Sequence, residues 1–196
     1  MSDPGIILAA GAARRFGGPK QLARLGGETL LARVVRSVES AGLAPIVVLG
    51  ARRARVASEL EETCRRVEAE DWSEGMGASI RRAAETVEAP STDRLVLISC
   101  DQPLVTADDL ERLYEQCRSA DAAAAAYDGV LGVPACFDAD QLDRLRQLGG
   151  DEGARRLLRG DDLRIRAVPM PAAASDVDTP ADLRALRETR PNGGGP

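Results

Sequence analysis

The feature that most constrains this chain is its alternation of short apolar runs with amphipathic stretches. Residues 5–10, 45–49 and 94–99 are almost continuously apolar and of strand length. Strands of that kind are buried on both faces of a sheet. Residues 29–41 carry Leu30, Val34 and Val38 on one helical stripe, with Leu31 and Val35 beside it. Residues 52–62 carry Val56 and Leu60, and residues 77–87 place Ile80, Ala83, Ala84 and Val87 at i, i+3, i+4 and i+7. A short strand is expected at 66–68. A further helix is marked by Leu110, Leu113, Tyr114 and Cys117.

Repeated strand–helix units of this type predict an α/β fold of three αβα layers around a mostly parallel, doubly wound, Rossmann-like sheet with right-handed connections. The second half is less regular. It predicts strands at 122–127 and 130–137 around Asp128-Gly129, helices at 141–148 and 152–158, and a strand at 163–168. A last helix is expected at 179–187, with Thr179 as N-cap and Pro180 at its first position. No repeat or linker divides the chain, so one domain is expected over residues 1–189. The Gly/Pro-rich residues 190–196 read as a disordered tail.

Composition narrows the function. Hydrophobic residues make up 44% of the 196 and aromatics only 3%, so the core must be aliphatic. A net charge of −5 argues against a dedicated nucleic-acid binder. The chain has no histidine, which removes Ser-His-Asp triads, Cys-His dyads and histidine-held zinc or iron. A metal would rest mainly on carboxylates, which suits a hard cation such as Mg2+. Cys64, Cys100, Cys117 and Cys136 form no CxxC pair and read as small buried thiols. The first apolar run, residues 6–10, is too short to span a membrane, and no secretory signal pattern is present, so a soluble cytoplasmic protein is expected.

The segment from Leu8 through Ala9, Ala10 and Gly11 to Lys20 carries the most chemistry. A buried strand ends in small residues, which let backbone N–H groups approach phosphate oxygens. Arg15 and Lys20 add fixed positive charge nearby, one as a fork and one as a point charge. The Walker pattern fails, because Lys20 is followed by Gln21. The GxGxxG fingerprint fails at Ala12-Ala13.

This loop resembles the LAAGxSxRxGxxK signature of nucleotidyltransferases related to molybdenum-cofactor cytidylyltransferase and guanylyltransferase, the MobA-like family. Gly11, Arg15, Gly17 and Lys20 fall in place, and Ala13 stands where serine is usual. The similarity runs on in order. Residues 72–80 resemble WxxGMxxSI, and Cys100-Asp101-Gln102-Pro103 resembles CDQP. Gly132-Val133-Pro134 resembles GxP, residues 150–155 resemble GDxGAR, and residues 176–183 resemble DIDTPxDL. One departure is Ala69-Glu70, where the family carries an asparagine shortly before the tryptophan. The part played by Trp72 stays open.

The resemblance implies the nucleotide-diphospho-sugar-transferase-like fold and a set of roles. Leu8, Ala9, Ala10, Gly11, Arg15, Lys20, Gly75 and Ser79 would bind nucleotide. Asp101 and Asp178 would hold Mg2+, with Arg15, Lys20 and Asp101 carrying catalysis. Gln102, Pro134, Asp151 and Arg155 would face the acceptor. On the residues alone, Asp101 can instead be a turn aspartate, and Asp178 can simply start the last helix. Ser79 can be a local cap, Asp151 can cap the helix that follows it, and Arg155 can form a surface ion pair.

The implied reaction is attack by an acceptor phosphate on the α-phosphorus of a nucleoside triphosphate. The guanylyl relatives carry a second glycine where Ala10 stands, which favours CTP and a molybdopterin-type acceptor, with a molybdenum hydroxylase as a downstream partner. A GTP- or sugar-phosphate-using enzyme of the same fold, or a non-catalytic molybdenum-cofactor carrier, are the alternatives.

Overall fold

The computed structural model describes residues 2–62, 64–151 and 153–189. The expected disordered tail at 190–196 lies outside them, as does Glu152. Seven strands form one sheet: β1 (Pro4–Ala9), β4 (Ala44–Leu49), β5 (Arg65–Glu68), β6 (Arg94–Ser99), β7 (Ala122–Tyr127), β8 (Val130–Asp138) and β9 (Ile165–Pro169). β2 (Arg24–Leu25) and β3 (Glu28–Thr29) make a separate small hairpin. The sheet order is β5-β4-β1-β6-β8-β7-β9, and β8 alone runs antiparallel to its neighbours. The mostly parallel, doubly wound sheet is therefore as the sequence implies.

The apolar strands alternate between two cores. Ile6, Leu8, Ile46 and Val48 pack under α3 (Met76–Ala84), α5 (Leu142–Arg146) and α6 (Arg155–Arg159). Ile7, Ala9, Val47 and Leu49 pack under α1 (Leu30–Ser40), α2 (Arg53–Ala57) and α4 (Ala107–Cys117). A third cluster joins Leu25 and Leu30 to Val177 and Leu183, which docks α7 (Pro180–Thr189) on the hairpin. Cys100, Cys117 and Cys136 are buried in the second core as free thiols. No helix among the described residues is long and apolar enough to cross a membrane.

Helix ends follow side-chain chemistry. Thr29 caps α1 by accepting from Ala32 N, and Thr106 with Asp109 forms a reciprocal box on α4. Four helices are shorter than expected: α5 covers only Leu142–Arg146 of the expected 141–148, α6 runs Arg155–Arg159 against an expected 152–158, and α2 and α3 stop early. α2 stops at Ala57 and not at 62, because Glu59, Glu61 and Glu62 would set negative charge on a helix C-terminus. α3 stops at Ala84 and not at 87. There Arg146 donates to the Ala84 and Val87 carbonyls and ends the helix.

Two features open a crevice. After β5 the chain returns to the other side of β1 to make β6, so the loops leaving β1 and β6 lie side by side at a topological switch point. The β6–β8 ladder ends at Leu97–Ala135, although β6 continues to Ser99. Beyond that point β8 carries a bulge at Val133-Pro134, a place in a sheet that tolerates proline.

Candidate active site

The crevice is built on the loops that leave β1 and β6. Cys100 N donates to the Leu8 carbonyl at 3.1 Å, which fixes the two strand ends together and sets Asp101 beside the glycine loop. Val177 N donates to the Asp101 carbonyl at 2.9 Å. Asp182 accepts from the N–H groups of Asp178 and Thr179, while Thr179 Oγ1 accepts from Asp182 N. That capping box, with the Leu25–Val177–Leu183 cluster, carries Asp178 into the crevice.

The charges converge. Lys20 Nζ donates to Asp101 Oδ2 at 2.5 Å and to Asp178 Oδ1 at 2.8 Å. Arg15 donates to Asp178 Oδ2 at 2.8 Å. The Lys20 side chain is only 13% exposed, whereas that of Arg15 is 74% exposed. Burial alone would lower the Lys20 pKa, but Asp101 and then Asp178 outweigh it and raise it. The hydrogen bond from Lys20 holds Asp178 below the usual carboxylate range, against the effect of its burial and with help from Arg15. Asp176 lies in the same pocket. Partial burial, then the charges of Asp101 and Asp178, push its carboxyl up to about 6. Burial and Asp101 also push the Cys100 thiol up, which leaves it neutral and unreactive.

The glycine loop is open. A Cβ built at Gly11, Gly17 or Gly18 would meet nothing within 4 Å. Gly11 lies outside the left-handed region, so neither contact nor backbone strain within the protein calls for glycine there. The turn that follows holds Ala13 at φ 50 and Gly17 at φ 79. Leu8 and Ala9 are buried, and they form the floor of the loop through their carbonyls. Ala10 is 5% exposed and packs in the α3-side core.

The second wall is tightly packed. Gly77 N donates to the Gly150 carbonyl at 2.9 Å, and a Cβ on Gly77 would lie 2.5 Å from the Gly149 carbonyl oxygen. A Cβ on Gly75, whose φ is 125, would lie 2.4 Å from the Gly150 carbonyl oxygen and 2.5 Å from Asp151 Oδ1. The segment that leads to Ser79 and the segment around Asp151 are thus in direct contact. Arg81 ties them, donating to Asp71 at 2.6 Å and to the Leu148 carbonyl at 3.0 Å. Ser79 is 4% exposed in the first turns of α3. Trp72 packs against Gly50, where a Cβ would come within 2.7 Å of its side chain, so the tryptophan is a wall of the core. Ala69, at the family departure, is buried and prolongs the β4–β5 pairing through a bond to the Leu49 carbonyl.

Some expected roles change. Gln102 is 1% exposed and its amide donates to the Val133 and Ala173 carbonyls, so it braces the crevice instead of facing an acceptor. Asp151 is not the N-cap of α6, which starts at Arg155 after Ala154. Pro134 is buried at the β8 bulge. Arg155 is exposed and lies near Tyr127, whose hydroxyl donates to the Val133 carbonyl at 3.3 Å. Gln21, Tyr127 and Asp176 are members of the site that sequence patterns leave out. The only signals for them are the neighbouring Lys20, the Asp128-Gly129 turn and the Asp178 motif.

Asp101 and Asp178 offer oxygen donors that both reach one atom, the Lys20 ammonium. Two carboxylates beside an open glycine loop fit a hard dication whose remaining positions are filled by other oxygen ligands. Among the described residues no group of three or more His, Cys, Asp or Glu side chains is placed to hold a metal ion.

Comparison with known proteins places this geometry. The chain is 28% identical to the purine catabolism protein PucB of Bacillus subtilis, over 93% of this chain and 95% of that one. It is 29% identical to a probable molybdenum cofactor guanylyltransferase of Opitutus terrae, over 84% of each. The Mycobacterium tuberculosis protein Rv0371c, in a crystal structure with manganese, superposes with a TM-score of 0.81 at 28% identity. That match covers 97% of this chain and all of that one. The MobA-like NTP transferase domain model matches residues 5–167, and the chain belongs to that family of nucleotidyltransferases.

Proposed function

We propose that this chain is a CTP:molybdopterin cytidylyltransferase, which moves CMP from magnesium-bound CTP to the phosphate of molybdenum-bound molybdopterin and releases pyrophosphate. The observation that carries nucleotidyl transfer is the convergence of Lys20, Arg15, Asp101 and Asp178 beside the open Gly11 loop. In this reading an acceptor phosphate oxygen forms a bond to the α-phosphorus. The bond from that phosphorus to the bridging oxygen breaks, and its electron pair leaves with pyrophosphate. The attacking phosphate is already ionised at neutral pH, so no strong general base is required. A chain without histidine suits that chemistry.

Lys20 and Arg15 then supply charge for the triphosphate, and the loop amides orient it. Asp101 and Asp178 would hold the divalent ion, which supplies further charge neutralisation. Arg155, standing with Tyr127 across the crevice, is suited to an anionic acceptor.

The choice of CTP rests on Ala10. Its methyl group packs on the α3 side of the sheet, the side of Ser79, and in this reading a glycine there would leave more room for a larger base. A second reading, GTP, is favoured by the guanylyltransferase relative. Pyrophosphate release from CTP and from GTP, with molybdenum-loaded molybdopterin as acceptor, decides between them. The expected result is a kcat/KM for CTP about tenfold or more above that for GTP. A preference for GTP overturns the cytidylyl assignment, and release with neither nucleotide overturns transfer itself.

A further inference from the structure

The single turn Lys20–Leu22 sends two consecutive side chains to two different parts of the site. Lys20 reaches Asp101 and Asp178. Gln21 reaches under the glycine loop, where its Nε2 donates to the Ala9 carbonyl at 2.8 Å and to the Gly11 carbonyl at 3.0 Å. Those carbonyls flank Ala10. Ala9 is the last residue of β1, so Gln21 gives its carbonyl a partner where the strand ends. With both carbonyls bound to one side chain, the backbone on either side of Ala10 is tied to the Lys20–Leu22 turn.

Gln21 is 1% exposed, and its Oε1 has no hydrogen-bond partner among the described residues. A buried amide that satisfies two carbonyls while its own oxygen goes without is an expensive arrangement for a fold to keep. A merely space-filling role at this position would be met by leucine or methionine.

We infer that Gln21 is a positioning residue for nucleotide binding. It ties the Ala9–Gly11 backbone to the turn that carries Lys20, and so fixes the spacing between the phosphate and base cradle and the catalytic ammonium. The inference rests on the nucleotidyltransferase reading of the site and adds a residue to it. Gln21 touches no ligand itself; it acts through the loop.

The test uses Gln21→Met, which keeps the volume and loses both donors, and Gln21→Glu, which keeps the shape and sets a carboxylate against the two carbonyls. CTP and GTP are titrated calorimetrically, each with magnesium, and thermal unfolding is followed in parallel. The expected result is at least a tenfold loss of CTP affinity in both variants, together with a CTP-to-GTP affinity ratio that moves towards one. A purely structural role would lower the melting temperature and leave that ratio unmoved.

Equal affinity and an equal ratio in a folded variant overturn the inference. A wild-type protein that binds neither nucleotide overturns the underlying reading instead. If neither variant folds, the wild-type protein still decides. The Gln21 side-chain amide protons should be protected from exchange and should shift in the NMR spectrum when magnesium and CTP are added. Amide protons that stay in place through saturation overturn the proposal.

Discussion

Two glycine-bearing segments line the crevice, and they hold glycine for opposite reasons. At Gly75 and Gly77 the protein itself leaves no room: the backbone of residues 149–150 would lie within 2.5 Å of a Cβ at either position. At Gly11 and Gly18 a Cβ would meet nothing within 4 Å. Both segments look alike in sequence, as small-residue approaches to a helix or turn. In the proposed function, the difference means that only the first loop is small for the sake of something outside the chain. The second is small so that α3 can dock on the segment before α6.

The comparison can be broken by substitutions on each side. The largest effect is expected at the carboxylate that faces the open loop. Asp101→Asn should reduce turnover at least a hundredfold, about 2.7 kcal/mol in barrier, in a steady-state pyrophosphate assay. It removes a proposed metal donor and a partner of Lys20 together. Turnover within about tenfold of wild type would remove Asp101 from the site.

On the packed side, Gly75→Ala should lower the unfolding free energy by about 1–3 kcal/mol in a denaturant titration. It combines backbone contact with a left-handed φ. A variant as stable as wild type would show that residues 149–151 yield easily, and the contrast between the two segments would fail.

A pH measurement sharpens the electrostatic side. The Asp176 carboxyl is raised from 3.8 to about 6 in the folded protein. In that window the native state binds more protons than the unfolded state, so this group makes stability fall as pH rises. Asp176→Asn, measured without metal or nucleotide, should match wild type below about pH 4 and be the more stable protein above about pH 6. A difference that does not change with pH would contradict the shift.

The smallest effect is expected at Ala10→Gly. There the kcat/KM ratio of CTP over GTP should fall by roughly tenfold, about 1.4 kcal/mol, without reversing. Ser79 and its neighbours, which the proposed function assigns to the base, are left untouched by that change.

Much of this is legible in the sequence. Hydrophobic period alone located β1, β4, β6, α1 and α4, because continuous apolar strands and capped amphipathic helices leave strong local patterns. The Arg15, Lys20, Asp101 and Asp178 set was named from motifs, and the fold brings all four together. Other features are tertiary and leave no local trace. Gln102 follows Asp101 in sequence, yet its amide is spent on Val133 and Ala173, far along the chain. Gln21 looks like any polar residue after a lysine, and only the end of β1 above it reveals its use. The β2–β3 hairpin was missed because two-residue strands around Gly26-Gly27 carry no period.

The measurement that bears most directly on the central claim is calorimetric titration of magnesium and CTP into wild type and Gly11→Ala, with thermal unfolding of both proteins. Gly11 has open space around it and an ordinary backbone conformation, so the added methyl group disturbs only what enters the loop from outside. The expected result is an unchanged melting temperature with CTP affinity reduced at least tenfold, about 1.4 kcal/mol. Equal affinity in the two proteins, or a loss of affinity matched by a loss of stability, would contradict the assignment of this loop as the nucleotide's cradle.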